Sequence, residues 1–530
     1  MPSPFSSAKR PHRILLLSRD VTSAERQNLA RITHRARFDL AFSERSRDRS
    51  LTVWIYQELC RAIASGKLRP GTRLPSTREF AKQHGFSRGT VVTVFEQLKS
   101  EGYLRTGKGA GTWINPRLAI RKTAPARVLQ TNARYPPDPL VGLQFSYPPR
   151  PFRLDVPAID LFPMREWARI TARRLRRDPG FLLCGRDRRG FEPLRTAIAS
   201  YLGTSRSVAC TPDQIFVVSG IQQGLDLIAR VLLKPGQQVW MEDPGYFGAL
   251  LAFRNAGAKV LPVPVDEQGM NPARARGRAK LAYLTPAHQF PLGITMSIQR
   301  RLQVLAWARE SACYLLEDDY DSEFRFASLP VPALQSLDDS ESVILVGSFN
   351  KLMFPALRIG YIVAPAPLVD PLAAQRFGID LGSFSFDQAV MADFIEQGAL
   401  SRHLRRMRDF YGERLGVLHD SCSKYLKGLV ELSHVQAGLF TPAFLRNGMT
   451  SRAAEEAAAA RGLESMGLHR FSLQGKDHKG LLLGFGAFDG KSIQQLSSLS
   501  QSAWLANVQS FSITARATER RDRENVNPFV

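Results

Sequence analysis

VGSFNKLMFPALRIGY (346–361) is the stretch that decides the larger part of this chain. Its lysine, Lys351, sits between two apolar runs, VILVG (343–347) before it and LMFPAL (352–357) after it. A short apolar run that breaks at polar residues is the pattern of a buried strand leaving the sheet. Burial lowers the pKa of a lysine amine and frees its lone pair for imine chemistry. Ser348 stands three residues before the lysine and Arg358 seven after it. A hydroxyl and a guanidinium at those positions suit a phosphate, the guanidinium because its fork can bind bidentately.

Upstream, SGIQQGLDLIARVL (219–232) follows a strand that ends at Val218 and opens a helix. The free backbone N–H groups of Gly220, Ile221 and Gln222 at such a start form an anion cradle. Downstream, YLLEDDYDSEF (314–324) ends an apolar strand in two acids and a tyrosine. Strand ends of this kind are where ligands gather in open α/β sheets. From Val141 to about Val508, strand-like runs alternate with helical ones, for example QIFVVSG then IQQGLDLIARVLL, and QVWMEDP then GYFGALLAFRNAG. The alternation predicts an α/β unit with a mostly parallel sheet over 141–508.

Residues 49–114 are patterned differently. A helix is expected from about Thr52 to Ala64, with Gly66 behind it. Ser76-Thr77-Arg78-Glu79 reads as a capping box, Gly85 as a helix stop, and Ser87 as the cap of a third helix with Val91, Phe95 and Leu98 facing inward. That leaves Arg88, Gly89 and Thr90 exposed at a helix start, where a recognition helix meets base edges. Tyr103–Thr106 and Gly111–Ile114 are placed to form a hairpin with a glycine-rich, basic tip at 107–110.

The charge agrees with a polyanionic partner. The 530 residues carry 72 Lys and Arg against 48 Asp and Glu, a net +24, and residues 1–113 hold 21 against 9. Residues 1–48 read as a basic, flexible extension, 115–140 as a Pro- and Arg-rich linker, and 509–530 as a frayed tail. The five cysteines (Cys60, Cys184, Cys210, Cys313, Cys422) form no metal-binding spacing and fit a reduced, cytoplasmic protein. No apolar run is long enough to span a membrane.

The motifs PGTRLPSTREFA, GFSRGTV, LKSEGYL and GKGAGTW resemble the winged helix-turn-helix of the GntR family of bacterial regulators. The resemblance implies double-stranded DNA as partner, base or phosphate contacts from Arg78 and Arg88, phosphate contacts from Ser76 and Thr90, and a wing at Gly109 that approaches the minor groove. The runs SGIQQGLDL, EDPGYFGA, TPAHQFPLGITM, EDDYDSEFR, ALRIGY and DFIEQGALSRHLRRMR resemble the MocR subfamily, in which such a domain is fused to a fold-type I aminotransferase-like domain. This implies pyridoxal 5'-phosphate (PLP) as cofactor, joined to Lys351 as an internal aldimine. It places Asp318, or else Asp319, at the pyridine nitrogen and Tyr320 at the O3′ oxygen. Ser348, Arg358 and the backbone of 220–222 would hold the phosphate, and Tyr246 would stack on the ring. Arg470 would bind a substrate carboxylate, with an ordinary surface arginine as the competing reading. The implied function is a ligand-responsive transcription regulator, probed by an amine or amino acid through aldimine exchange and acting as a homodimer. The alternatives are a working aminotransferase with an accessory DNA-binding domain, and a repressor whose large domain only dimerises. The chain departs from the family pattern at Asn350, at Phe290-Pro291-Leu292-Gly293, at Phe440 and in FLLCGRDRRGFEPLR (181–195).

Overall fold

The computed structural model describes residues 40, 42–43, 50–107, 111–118, 148–177, 179–180, 187–326, 331–380, 386–446 and 448–493. The chain divides into two units, Met1–Arg134 and Tyr135–Val530.

In the first unit, α1 (Leu51–Ala64), α2 (Thr77–His84) and α3 (Arg88–Ser100) pack beside a three-stranded sheet of β1 (Arg73–Leu74), β2 (Leu104–Gly107) and β3 (Gly111–Ile114), ordered β1-β3-β2. The second and third helices start at the predicted caps Ser76 and Ser87, and the first starts at Leu51 behind Ser50, a cap the sequence reading did not name. The Ser50, Ser76 and Ser87 side chains accept from the backbone N–H groups of Val53, Glu79 and Thr90, and Glu79 returns the bond to Ser76 N. Gly85 ends α2 at φ 71°, a left-handed conformation that glycine adopts without strain. Ile55, Leu59, Phe80, Val91, Val94 and Leu98 are fully buried between the helices. Each contributes on the order of 1.5–3 kcal/mol by leaving water.

Of residues 1–48, which the sequence reading takes as a flexible extension, the described Leu40, Phe42 and Ser43 lie against this core. Leu40 is buried in this core, Phe42 lies against Trp54, Phe80, His84 and Phe86, and the Ser43 hydroxyl donates to Glu58 at 2.7 Å. An aromatic and an aliphatic residue here find apolar partners that a local reading of a basic, Ser-rich stretch cannot see.

The second unit is built on an eight-stranded sheet: β4 (Ile215–Val218), β5 (Gln238–Asp243), β6 (Lys259–Asp266), β7 (Gly269–Met270), β8 (Leu281–Leu284), β9 (Tyr314–Asp319), β10 (Val343–Ser348) and β11 (Gly360–Val363). Its order is β4-β11-β10-β9-β8-β5-β6-β7. Strands β6, β5, β8, β9 and β10 pair in parallel, and β11 runs against both of its neighbours. Apolar residues cover both faces, as a mostly parallel sheet requires. Ile215, Val217 and Leu345 join a core with α5 (Glu192–Arg206), reached after α4 (Met164–Arg177). Phe216, Val218, Leu316 and Ile344 face the other way, onto α6 (Ile221–Leu232) and α7 (Phe247–Asn255). After α8 (Ile298–Ser311), α9 (Val369–Asp380), α10 (Phe386–Glu396) and the long α11 (Ala399–Tyr425), a four-stranded antiparallel sheet completes the unit. Its strands are β12 (Val430–Leu432), β13 (Phe440–Leu445), β14 (Met466–Gly467) and β15 (Gly480–Gly484), with α12 (Ser451–Ala459) between β13 and β14. Among the described residues no helix is long and apolar enough to cross a membrane, and no His, Cys, Asp and Glu cluster could hold a metal.

Candidate functional site

The carboxyl ends of β4, β9 and β10 meet at one cavity of about 250 Å³. Ile221, Gln222, Tyr246, Asp318, Tyr320, Ser348, Lys351 and Arg358 all line it, although they span 138 positions of sequence. Asp155, Tyr283, Phe290, Asn350 and Pro355 complete the lining. A larger cleft of about 510 Å³, lined in part by Tyr201, Arg206 and Arg408, contains none of the residues expected to hold the cofactor.

The two adjacent acids separate by strand alternation. Asp318 faces the cavity, where Tyr283 donates its phenol to Oδ2 at 2.7 Å; Oδ1 is buried without a hydrogen-bond partner. Asp319 points away and pairs with the buried Arg206 at 2.9 Å. Burial is the main reason the Asp318 carboxyl is pushed up to about 7; Tyr283 and Lys351 oppose it, and Asp319 and Asp321 add to it. A buried carboxylate with an open oxygen is a ready acceptor for an N–H that brings positive charge.

Lys351 follows β10 in a tight turn. Its Nζ lies 2.6 Å from Asp155 Oδ1 and 4.1 Å from the centre of the Tyr320 ring. Burial pulls the amine's pKa down, as the apolar flanks predict. The Asp155, Asp321 and Asp318 carboxylates outweigh it, and the net displacement is upward. The lowered value expected from sequence is therefore corrected: Asp155 lies some 200 residues upstream, outside any local window, and it holds the ammonium form.

Tyr320 presents its ring to the lysine, while its hydroxyl donates to the His288 carbonyl at 2.7 Å. Tyr246, at the start of α7, meets Phe290 edge-on with ring centres 5.8 Å apart. The two rings wall the cavity.

The anion cradle is tightly made. Gly220 precedes α6 at φ 83°, and a Cβ there would lie 3.2 Å from the Arg358 guanidinium carbon and 3.3 Å from Asn350 Nδ2. Arg358 itself takes φ 52° and donates to Ser219 O at 2.9 Å, which aims it across the helix start. Ser348 Oγ accepts from Asn350 N at 3.2 Å and keeps its own proton to donate. Asn350 Oδ1 accepts from Ile359 N at 3.2 Å, so this residue braces the loop that carries Arg358.

Arg470 is not in the cavity lining. Its Nε donates to both oxygens of Glu455 at 2.7 and 2.9 Å. In the first unit, Arg78 and Arg88 are exposed on α2 and α3. Ser76 and Thr90 are engaged locally, Ser76 in its capping box and Thr90 with the Ser87 hydroxyl at 2.8 Å. Gly109 lies outside the described residues. Sequence reading missed Tyr283 and Asp155. A phenol inside the otherwise apolar, fully buried run LAYL (281–284) offered a signal for the tyrosine; nothing local marked the aspartate.

Comparison with known proteins agrees with both units. Residues 159–470 match the aminotransferase class I and II family, and residues 51–114 match the bacterial regulatory proteins of the gntR family. The chain is 36% identical to a probable rhizopine catabolism regulatory protein, MocR, of Rhizobium meliloti, over 87% of this chain and 95% of that one. It is 32% identical to the HTH-type pyridoxine biosynthesis transcriptional regulator PdxR of Corynebacterium glutamicum, over 83% and 93%. Among solved structures it resembles the α-aminoadipate aminotransferase LysN of Thermus thermophilus, complexed with N-(5'-phosphopyridoxyl)-L-leucine. The TM-score is 0.63 at 27% identity, over 68% of this chain and 92% of that one.

Proposed function

The chain belongs to the MocR subfamily of GntR-family regulators, and from that premise we propose a DNA-binding transcription regulator whose large unit holds pyridoxal 5'-phosphate and senses a small amine or amino acid beside Lys351. The observation that carries this reading is the open Oδ1 of Asp318 in the same cavity as Lys351 and the Gly220–Arg358 cradle. When bound, the cofactor supplies an aldehyde that condenses reversibly with primary amines. Lys351 contributes the resident amine. Asp318 accepts the pyridine N–H and keeps it protonated. Arg358, Ser348 and the N–H groups at the start of α6 hold the phosphate. Tyr246 and Phe290 exclude water from the ring. Tyr320 orients Lys351 through its ring; for its hydroxyl to serve a cofactor oxygen it must leave His288 O.

The first unit supplies the output. Arg78 and Arg88 are exposed on two capped helices, with Arg88 at the start of the recognition helix, and guanidinium groups there suit guanine edges and phosphates. A ligand changes DNA binding only by binding one arrangement of the protein better than another. A homodimer would set two winged domains on two half-sites. A cytoplasmic place follows from the DNA partner.

The test is borohydride reduction of protein incubated with the cofactor, followed by peptide mass spectrometry. A phosphopyridoxyl label on Lys351, absent from Lys351→Ala, is expected. An unlabelled wild-type protein would leave only a DNA binder.

A further inference from the structure

We propose that Asp155 sets ligand specificity, and that the cavity is built for a primary amine without a carboxylate, carrying hydrogen-bond donors at its far end, such as a diamine or amino alcohol. The proposal rests on the reading of this cavity as a cofactor and effector site.

Asp155 stands at the rim, with its side chain 49% exposed and its Oδ1 2.6 Å from Lys351 Nζ. Its position is fixed by its neighbours. Leu154, Val156 and Ala158 are buried, and Ala158 N donates to Tyr411 Oη at 3.0 Å. Phe152 O accepts from Gly484 N at 2.9 Å. The backbone of Asp155 itself lies at φ 65°, a left-handed conformation that costs a residue with a side chain. An acid is thus held at the cavity rim, within hydrogen-bond reach of the amine at which a ligand would exchange and beside whatever group that amine carries.

A ligand carboxylate needs a cation, and none is spare. The only cations in the described lining are Lys351, which faces Asp155, and Arg358, which is tied to Ser219 O in the phosphate cradle. Arg470 lies outside the lining and is held by Glu455. Leu154, Phe440 and Leu482 form an apolar cluster with the lining residues Phe290 and Tyr320. A carboxylate entering here would lose water, meet hydrocarbon and approach a like charge. An ammonium or hydroxyl in the same place would donate to Asp155. The competing source of a cation is a second copy of the chain, which would reveal itself as a preference for carboxylates.

The experiment titrates full-length, cofactor-loaded protein with 1,4-diaminobutane and with 4-aminobutyrate, which have the same chain length and opposite far ends. Cofactor absorbance and binding to the protein's own DNA site are followed together. The diamine should act at a concentration about tenfold or more below that of the amino acid. Ethanolamine should likewise surpass glycine. Asp155→Asn and Asp155→Gly should both bring the members of each pair to within about threefold, the glycine variant without backbone strain. Preference for the carboxylates in loaded wild-type protein, or a preference unmoved by both variants, would overturn the proposal alone. Failure to retain the cofactor at all would overturn it together with the reading beneath it.

Discussion

Tyr283 and Asp318 meet across neighbouring parallel strands, the phenol donating to Oδ2 at 2.7 Å while Oδ1 of the same carboxylate finds no partner. The tyrosine fixes the direction of the carboxylate and leaves one oxygen for a guest. Replacing Asp318 by Asn keeps the shape and removes the charge. Cofactor affinity should fall by roughly 10- to 100-fold, the worth of a charge-assisted hydrogen bond in a buried place. Asp319→Asn should leave cofactor affinity nearly unchanged, because Asp319 faces Arg206. Equilibrium dialysis of both variants checks the pair; equal losses would refute the assignment.

The same carboxyl gives a pH dependence with a definite sign. Its pKa in the folded, cofactor-free protein lies at about 7, above the ordinary value, mainly because of burial. The folded state therefore binds a proton that the unfolded chain has already released. Its contribution to stability is fully present below about pH 4 and is lost as pH rises to about 7. Relative to wild type, cofactor-free Asp318→Asn should gain stability progressively from about pH 4 to 7, by roughly 2–4 kcal/mol at most. Chemical denaturation of both proteins at several pH values measures the difference. A flat difference across that window would refute the raised value.

Arg470 and Glu455 bear on what the cavity does not use. Glu455 is 7% exposed and Arg470 Nε is bonded to both its oxygens. Arg470→Ala removes both hydrogen bonds from a buried carboxylate and leaves it, among the described residues, only His469 Nε2 at 3.8 Å, and should cost on the order of 2–4 kcal/mol of stability. Ligand affinity, measured by cofactor absorbance, should change by less than about threefold. A large loss of affinity at unchanged stability would instead place Arg470 on the ligand.

Much of this site was legible because its chemistry is carried by short runs. Lys351, Ser348 and Arg358 occupy one loop, and Gly220–Gln222 one helix start, so spacing alone groups them. The choice between Asp318 and Asp319 depends on which face of β9 carries the ligand, and the sheet decides it. Asp155 was invisible for another reason. It belongs to no motif, and it reaches Lys351 only because a left-handed turn and a strand pairing at Gly484 bring it there. The same physics explains the N-terminal stretch: apolar residues in a basic background, such as Phe42, declare themselves only when their aromatic partners are in place.

In the first unit, two neighbouring features should separate experimentally. Ser76 is committed to its capping box, so Ser76→Ala should cost about 0.5–2 kcal/mol of stability. Arg88 is exposed at the start of α3, so Arg88→Ala should leave stability almost unchanged and weaken binding to the preferred DNA site by about 1–3 kcal/mol, relaxing specificity. Thermal unfolding and a binding titration at fixed salt, run on each variant, resolve the two. Unaltered DNA binding by Arg88→Ala would reassign the recognition helix.

Phe42 offers the sharpest test of where the first unit begins. The matched family region starts at residue 51, yet Phe42 lies 5.1 Å from Trp54 and 5.5 Å from Phe86, centre to centre, and within 6.3 Å of Phe80. These contacts join α1, α2 and the segment before α3, so the ring closes the open side of a small core. A core of this size has little stability to spare. Phe42→Ala should remove about 1–3 kcal/mol through lost apolar burial and ring contacts. Hydrogen exchange in the full chain isolates the effect: peptides covering 51–64 and 77–84 should lose protection while those covering the large sheet do not. Ser43→Ala, which breaks a single hydroxyl bond to Glu58, should act in the same peptides and more weakly. If both variants leave exchange in α1 and α2 unchanged, residues 40–43 are an appendage rather than part of the domain.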